Sequence, residues 1–280
     1  EVNSTKVEGN SYDPYQNGIV DFGSRLGFKG TEDLGNGLNA IWQVEQEVTV
    51  GGNDDNDGKE RGFGTRDSFI GLEGGFGKVR AGYLSNYQNS DMQIPDAWEY
   101  SSDALGLGKY TRTGVRRAAI RYDSPSFAGF TFTGAYSPSD NNNDSVDSRT
   151  TTRPSESKDV YNLGLGYENS GFFGKLGYGN YKHKAVDKDG SQEDGHVVRV
   201  EGGYDANNLF VGLAYQYAKN MPGWIATGNA ATNDAALADK AQEAAVSVAY
   251  TMGAVTPKIT YAHGWDLKNN GDKIKNSGYD

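Results

Sequence analysis

The chain has 280 residues, a formal net charge of -10, no cysteine and a mean hydropathy of -0.70. Such a composition excludes the run of about 20 apolar residues that a spanning helix needs. The acidic balance argues against a nucleic-acid partner, which would favour a basic stripe. Aromatic residues make up 12% of the chain, too many for a disordered protein. No segment has the composition of a linker, so we expect one domain over residues 1–280.

Apolar and polar residues alternate with a period of two along most of the chain. The alternation is clearest at 38–45, 209–218 and 245–252. It predicts strands with one apolar and one polar face, and it explains how a membrane barrel can have a low mean hydropathy. In chain order, twelve complete strands are predicted at 19–31, 38–50, 66–74, 77–84, 116–122, 130–136, 160–168, 172–182, 196–205, 209–218, 242–252 and 256–263.

The predicted connections alternate between short and long. Short turns are predicted at 33–37, 74–76, 123–125, 169–171 and 206–208, and long polar segments at 51–65, 85–115, 137–159, 183–195 and 219–241. An up-and-down barrel places alternate connections on opposite rims, and outer-membrane barrels have short turns on one rim and long loops on the other. The fold class predicted is therefore all-β, a transmembrane antiparallel β-barrel. A soluble all-β binding protein is the alternative to a membrane barrel.

Several stretches are similar to a known family. They are IVDFGSRLGFKG at 19–30, EDLGNGL at 32–38 and AIWQVEQ at 40–46, followed by shorter matches at 68–72, 75–78, 121–125 and 261–264. In order and spacing they resemble the neisserial type of Gram-negative general porins. The resemblance implies a sixteen-stranded barrel in the outer membrane, surrounded by lipid and lipopolysaccharide. It also implies a homotrimer that passes ions and small hydrophilic solutes by passive diffusion.

The ends of the chain depart from the family pattern. The first strand is absent apart from a possible tail in residues 1–18, and the chain stops at 276–280, where the fourteenth strand would begin. The N-terminal residues also lack the apolar region of a signal peptide. We therefore expect a fragment with an incomplete barrel at both termini.

Charged residues at two places are candidates for the pore constriction. By resemblance, segment 85–115 is the constriction loop, with Asp91, Asp96, Glu99 and Asp103 as its acids. By alternation, six bases lie opposite apolar neighbours: Arg25, Lys29, Lys78, Arg80, Arg117 and Arg121. A charge facing lipid at mid-membrane costs roughly 2–4 kcal/mol, so these bases are expected in the lumen. Opposed charges across the lumen would sort ions by sign; alternatively, the charges pair with one another. Whether anions or cations are preferred stays open.

Enzymatic and metal-dependent functions find little support. The three histidines, His183, His196 and His263, lie in no Gly-x-Ser-x-Gly or His-Glu-x-x-His context. The acidic segment from 53 resembles the start of a calcium loop, but its twelfth position is Gly64 and not glutamate. We expect no catalytic residue, metal or cofactor. An outer-membrane barrel enzyme of the protease or lipase type is the alternative function.

Overall fold

The polypeptide is mostly β-strand in the part of the chain that the computed structural model describes. That part comprises residues 2–6, 15–19, 23–48, 63–92, 115–138, 158–186, 191–221, 240–269 and 272–273. Within these ranges, no helix is long and apolar enough to cross a membrane.

The strands follow one another in the sheet in the order of the chain. They are β1 (Val2–Lys6), β2 (Tyr15–Ile19), β3 (Arg25–Gly35), β4 (Leu38–Glu47), β5 (Ser68–Gly74), β6 (Gly77–Ser85), β7 (Arg116–Asp123), β8 (Phe130–Ser137), β9 (Val160–Asn169), β10 (Phe172–Val186), β11 (Gln192–Ala206), β12 (Leu209–Lys219), β13 (Lys240–Tyr250), β14 (Lys258–Asn269) and β15 (Asp272–Lys273), with one short helix, α1 (Tyr87–Ser90), after β6. Strands β3–β15 form a 13-stranded sheet in sequence order, and β1 pairs with β2 alone. The large sheet is therefore an antiparallel meander, which confirms the predicted all-β class.

Each of the twelve predicted strands overlaps one of β3–β14, but several boundaries differ. The strand predicted at 19–31 is Arg25–Gly35 and extends into the turn predicted at 33–37, and the strand predicted at 256–263 continues to Asn269. The hairpin β10–β11 continues into 183–195, which was predicted to be a long polar connection. A bulge at His183 (φ 48°) and an ion pair of 2.6 Å between Lys182 and Asp194 extend the ladder there. Residues 1–18, predicted as a tail of the first strand, contain β1 and most of β2, which pair with each other.

Two short connections owe their tightness to backbone conformations with positive φ. Asn36 and Gly37 join β3 to β4 with φ values of 54° and 75°, and Asn207 and Asn208 join β11 to β12 with 54° and 62°. Two successive residues with positive φ form the turn that suits the twist of a two-residue hairpin. Asparagine and glycine tolerate this conformation best. The sequence therefore allows two-residue turns at the rim where the short connections lie.

The sheet is apolar on its exposed face and polar on its buried face. Leu165 and Leu213 are 52% and 55% exposed, whereas Gln216 and Glu243 are 1% and 0% exposed. Along β13 the alternation is strict, with Ser247 buried between the less buried Val246 and Val248. A water-soluble sheet buries its apolar face. The opposite arrangement is that of a strand whose outer surface contacts lipid.

Aromatic rings border the exposed apolar face at both rims. Phe130 packs against Tyr167 at 4.6 Å and Phe172 against Tyr204 at 4.9 Å, all near the short connections. Tyr136 and Tyr161 pair at 5.3 Å near the long connections. Rings with a polar tip favour the two interfaces between membrane and water. The aliphatic residues between these belts mark the height of the hydrocarbon layer.

A charge placed in the aliphatic band should strongly destabilise the protein in a bilayer. For the protein inserted in phosphatidylcholine vesicles, Leu213→Arg should lower the free energy of unfolding by about 2–4 kcal/mol. The reason is that Leu213 lies mid-strand on the exposed face. Leu213→Met is the matched control and should have little effect. Urea titration of vesicle-inserted protein measures both. An arginine that is tolerated as well as methionine would show that this face does not contact lipid.

Candidate functional site: the polar face and its anchored segment

The structure places all six predicted wall bases on the polar face of the sheet. Across the strands, Lys29 lies opposite Gln43 and Gln43 opposite Phe69. Arg80 lies opposite Arg121. Because side chains alternate along a strand, Arg25 shares the face of Lys29, Lys78 that of Arg80, and Arg117 that of Arg121. The other face carries the exposed Leu26, Phe28 and Ile70.

The two ends of segment 85–115 are joined at its base by Asn86 and Val115. The Asn86 N–H donates to the Val115 carbonyl at 2.9 Å, and the Val115 N–H donates to Asn86 Oδ1 at 3.1 Å. Asn86 Oδ1 also accepts from the Asn89 N–H at 3.0 Å as the N-cap of α1. One buried side chain therefore closes the segment and starts its helix.

Arg121 fastens the beginning of this segment to the polar face. Its guanidinium is 3% exposed and donates to the Ser85 carbonyl at 2.9 Å, to Ser90 Oγ at 2.6 Å and to Asp91 Oδ2 at 2.8 Å. Asp123 accepts from the same group at 2.8 Å. Charge-assisted hydrogen bonds of this kind are the strong ones. The segment consequently starts along the polar face and not away from it.

A second strand holds the same point of the segment. The Lys175 ammonium on β10 donates to the Asp91 carbonyl at 2.9 Å and pairs with Glu168 at 3.0 Å. Asp91 is thus attached through its side chain to β7 and through its backbone to β10. Of the four predicted constriction acids, Asp91 pairs directly with Arg121, and Asp96, Glu99 and Asp103 lie outside the described residues.

Glycines on β9 and β10 make room for the segment. A Cβ at Gly164 would lie 2.3 Å from the Tyr87 ring, and one at Gly177 would lie 2.7 Å from Met92 Sδ. Tyr87 and Met92 are buried, and burial raises the pKa of the Tyr87 phenol above its ordinary value, so this ring stays neutral. We name Gly164, Gly166 and Gly177 the glycine track. The sequence analysis missed it, although glycine at alternate positions 164 and 166 was a visible signal.

The predicted wall bases differ in how fully they are paired. Arg80 donates to Asp123 at 2.6 Å and stacks over Phe69 at 5.1 Å, and Lys78 is 3.8 Å from Glu73. Arg117 lies over the Tyr181 ring at 5.8 Å. Arg25 and Lys29 are exposed, and in the described part of the chain neither forms an ion pair. Among the described residues, the polar face therefore carries cations without an ion pair, such as Lys29, beside cations that a carboxylate neutralises, such as Arg80.

Carboxylates that the sequence analysis did not single out line the polar face further along the sheet. Glu201 accepts from Arg199 Nε at 2.6 Å, and Glu243 accepts from Gln216 Nε2. Both carboxylates are buried. Strand alternation alone could have placed them, because both alternate with lipid-facing valines or alanines.

The sequence profile of Gram-negative porins matches residues 2–280. The chain belongs to the Gram-negative porin family. It is therefore an outer-membrane porin, a channel for passive diffusion, as the alternation and the resemblance predicted. The family is non-enzymatic, so the barrel-enzyme alternative is excluded. Members of this family typically form trimers.

Relatives with close sequences are major outer membrane proteins of Neisseria. The chain is 45% identical over 280 residues to the major outer membrane protein P.IB of Neisseria sicca, covering 93% of this porin and 72% of that relative. It is 37% identical over 264 residues to the P.IB protein of Neisseria meningitidis serogroup B, covering 92% and 72%. The porin thus spans somewhat less than three quarters of these relatives.

Solved porin structures have the same fold. The anion-selective porin from Comamonas acidovorans superposes with a TM-score of 0.66 at 22% identity, over 91% of this chain and 72% of that one. The OmpF complex with daunomycin from Salmonella typhi gives 0.67 at 20% identity, over 97% and 78%. Both are sixteen-stranded porin barrels, so the polar face of the meander corresponds to the wall of the lumen.

Proposed function

We propose that segment 85–115 narrows the channel and that its acids, together with the wall bases, set the preference for ions of one sign. The observation that carries this proposal is the Arg121 contact with Ser85, Ser90 and Asp91, which directs the segment along the lumen wall. Arg121 acts as the anchor. Arg25, Lys29, Lys78, Arg80 and Arg117 act on the permeating ions, with Asp96, Glu99 and Asp103 as opposing acids.

Local charge should outweigh the net charge of the protein in such a constriction. A narrow aqueous passage between low-dielectric walls focuses the field of the charges that line it. The net charge of -10 includes many acids in the long connections. Exposed charges farther from the ion than the Debye length, about 8 Å at physiological salt, are largely screened. The charges at the constriction therefore decide the selectivity.

Removal of two wall bases should shift the channel toward cations. Arg80→Ser combined with Arg117→Ser in the full-length protein should move the reversal potential in the cation direction, because two positive charges leave the lumen wall. The combination Asp96→Asn with Glu99→Gln should move it in the opposite direction. Planar-bilayer recording under a salt gradient measures both shifts.

The matched control uses acids in connection 137–159. Asp140→Asn combined with Asp144→Asn removes the same number of charges, but from a connection that the resemblance places outside the lumen. We expect this pair to shift the reversal potential clearly less, because salt screens exposed charges that lie farther than a Debye length from the permeating ion. Shifts of equal size from 137–159 and 85–115 would mean that the narrowest point lies elsewhere.

We further infer that the porin works as a homotrimer embedded in outer-membrane lipid and lipopolysaccharide. The support is the family's typical assembly and the exposed apolar face with aromatic belts at both rims. Neither the trimer nor its contact with lipid requires a nucleic acid or a cofactor. Gel migration of the full-length protein in mild detergent, before and after heating, should show a heat-sensitive band at three times the monomer mass. A single monomer band under both conditions would refute the trimer.

A further inference from the structure

Sulfur in this chain is confined to three methionines, because cysteine is absent. Met92 and Met221 are fully buried, whereas Met252 is exposed in the turn between β13 and β14. Met221 follows β12, and a Cβ at Gly195 would lie 2.4 Å from its sulfur. Met92 follows α1, at the start of the segment proposed to narrow the channel. The three sulfur atoms therefore differ both in exposure and in location.

A glycine seats Met92 on the polar face of the sheet. A Cβ at Gly177 would lie 2.7 Å from Met92 Sδ, so a larger residue there would displace the thioether. Gly177 lies directly opposite Gly164, the glycine that makes room for the Tyr87 ring. The sulfur therefore occupies a close-fitting site, with no space for a further atom between it and β10.

The Gln88 side chain shares this seat, and its amide group is not satisfied there. Its Cγ and Cδ atoms lie 3.0 and 3.1 Å from the same Cβ position at Gly177. The side chain is buried, and within the described residues neither its amide nitrogen nor its amide oxygen has a hydrogen-bond partner. A buried amide without partners costs free energy that contact with water would restore. The unsatisfied amide therefore favours release of α1, against the Arg121 contacts that hold it.

We propose that Met92 is an oxidation site at which hydrogen peroxide widens the channel by converting the thioether to a sulfoxide. The proposal rests on the narrowing of the channel by segment 85–115 and adds a modification that changes it. Hydrogen peroxide is a small hydrophilic solute, so it reaches the polar face from the water-filled lumen. Met92 is protected while α1 is seated and reacts when α1 is released, because local opening exposes buried groups.

The reaction is complete with peroxide as the only co-reactant. A lone pair of Met92 Sδ attacks one peroxide oxygen, the O–O bond breaks and an S–O bond forms. The displaced hydroxide takes the proton from the transferred oxygen and leaves as water. Sulfur is oxidised and the peroxide is reduced, as in other conversions of methionine to its sulfoxide.

The sulfoxide does not fit the seat that the thioether occupies. Its oxygen adds volume where Sδ already lies close to Gly177, and overpacking forces neighbouring groups to move. Once α1 has left the wall, water solvates the polar sulfoxide. Oxidised Met92 therefore keeps α1 released, and the channel stays wide until the sulfoxide is reduced.

Peptide mass spectrometry of the purified full-length protein during peroxide treatment tests the chemical step. The exposed Met252 should be oxidised first and Met92 more slowly. In Arg121→Met, oxidation of Met92 should be about tenfold faster, because the rate follows the population of the released form. The rate at Met252 should not change. An equal Met92 rate in the parent and in Arg121→Met would overturn the proposal, because oxidation would then not depend on release.

Planar-bilayer recording before and after peroxide treatment tests the effect on the channel. The single-channel conductance of the parent should rise, whereas that of Met92→Leu, which keeps an apolar side chain of similar volume, should not respond. Met221→Leu is the matched control, with the same substitution at the other buried methionine, and should respond as the parent does. Reductases for both sulfoxide epimers should together return the oxidised parent to its starting conductance.

Three results of these recordings would overturn the proposal. They are a peroxide response that persists in Met92→Leu, a response that is lost in Met221→Leu, and a parental conductance in protein whose Met92 is oxidised. The constriction proposal is judged separately, because the reversal-potential shift of Asp96→Asn with Glu99→Gln requires no oxidant. Absence of a peroxide response with that shift intact would leave the constriction proposal standing.

Discussion

Arg121→Met is expected to free the start of segment 85–115 and to give a larger and noisier single-channel conductance. The substitution removes the only group that joins Ser85, Ser90, Asp91 and Asp123 within the described residues. Asp91 loses its cation, whereas Asp123 keeps its ion pair with Arg80. We expect a loss of about 3 kcal/mol, at the low end for a broken ion pair because Asp91 is one-third exposed. The unpaired Asp91 carboxylate gains further contact with water only if the segment moves away from the lumen wall.

Two variants control for this expectation. Arg116→Met removes a guanidinium from the same strand, where it pairs with Asp67 at 2.7 Å without touching α1, and should leave conductance near that of the parent. Arg121→Lys keeps the charge but loses the forked geometry, so an intermediate result is expected. Planar-bilayer recording together with thermal unfolding in detergent separates altered gating from misfolding. A folded Arg121→Met channel with parental conductance would mean that Arg121 does not anchor the segment.

Gly164→Ala should disturb the same segment from the wall side. The new Cβ would lie 2.3 Å from the Tyr87 ring, so the ring and α1 must move. Overpacking of this kind typically costs 1–3 kcal/mol. We expect a lower unfolding temperature and faster uptake of disaccharides in liposome swelling, because the displaced segment obstructs the lumen less.

The matched control is Gly174→Ala on the neighbouring strand β10. No heavy atom lies within 4 Å of a Cβ at Gly174, so alanine should be tolerated there without loss of stability. Both glycines are in strands and neither has a positive φ, so backbone strain does not distinguish them. Equal effects of the two substitutions would show that the glycine track does not seat Tyr87.

Local patterning was sufficient to predict the strands and the faces of their side chains. Alternation has a period of two, so each run of apolar and polar residues specifies its own orientation without knowledge of its neighbours. That is why Arg25 and Lys29, or Lys78 and Arg80, could be assigned to the polar face. The boundary error at β10–β11 arose because polar composition predicts a loop, while the Lys182–Asp194 pair extends the hairpin.

The anchoring of segment 85–115 could not be predicted in the same way. Arg121 and Asp91 are thirty residues apart, and their contact depends on the register of β6 against β7 and on the position of α1. Lys175 reaches the same point from a strand 84 residues away. Alternation specifies the face of a residue but not its neighbours across the sheet. Pairing among the charges was one of the two alternatives, but the sequence did not specify that Arg121 would pair with Asp91.

The most direct test of the central claim is the reactivity of two adjacent single cysteines, made possible by a chain without cysteine. Lys29 and Phe28 are both exposed but lie on opposite faces of β3. In channels of the full-length protein, a charged water-soluble thiol reagent should react with Lys29→Cys and reduce the conductance stepwise, while Phe28→Cys should stay unreactive in lipid. Reaction at Phe28→Cys with no reaction at Lys29→Cys would contradict the assignment of the polar face to a water-filled lumen.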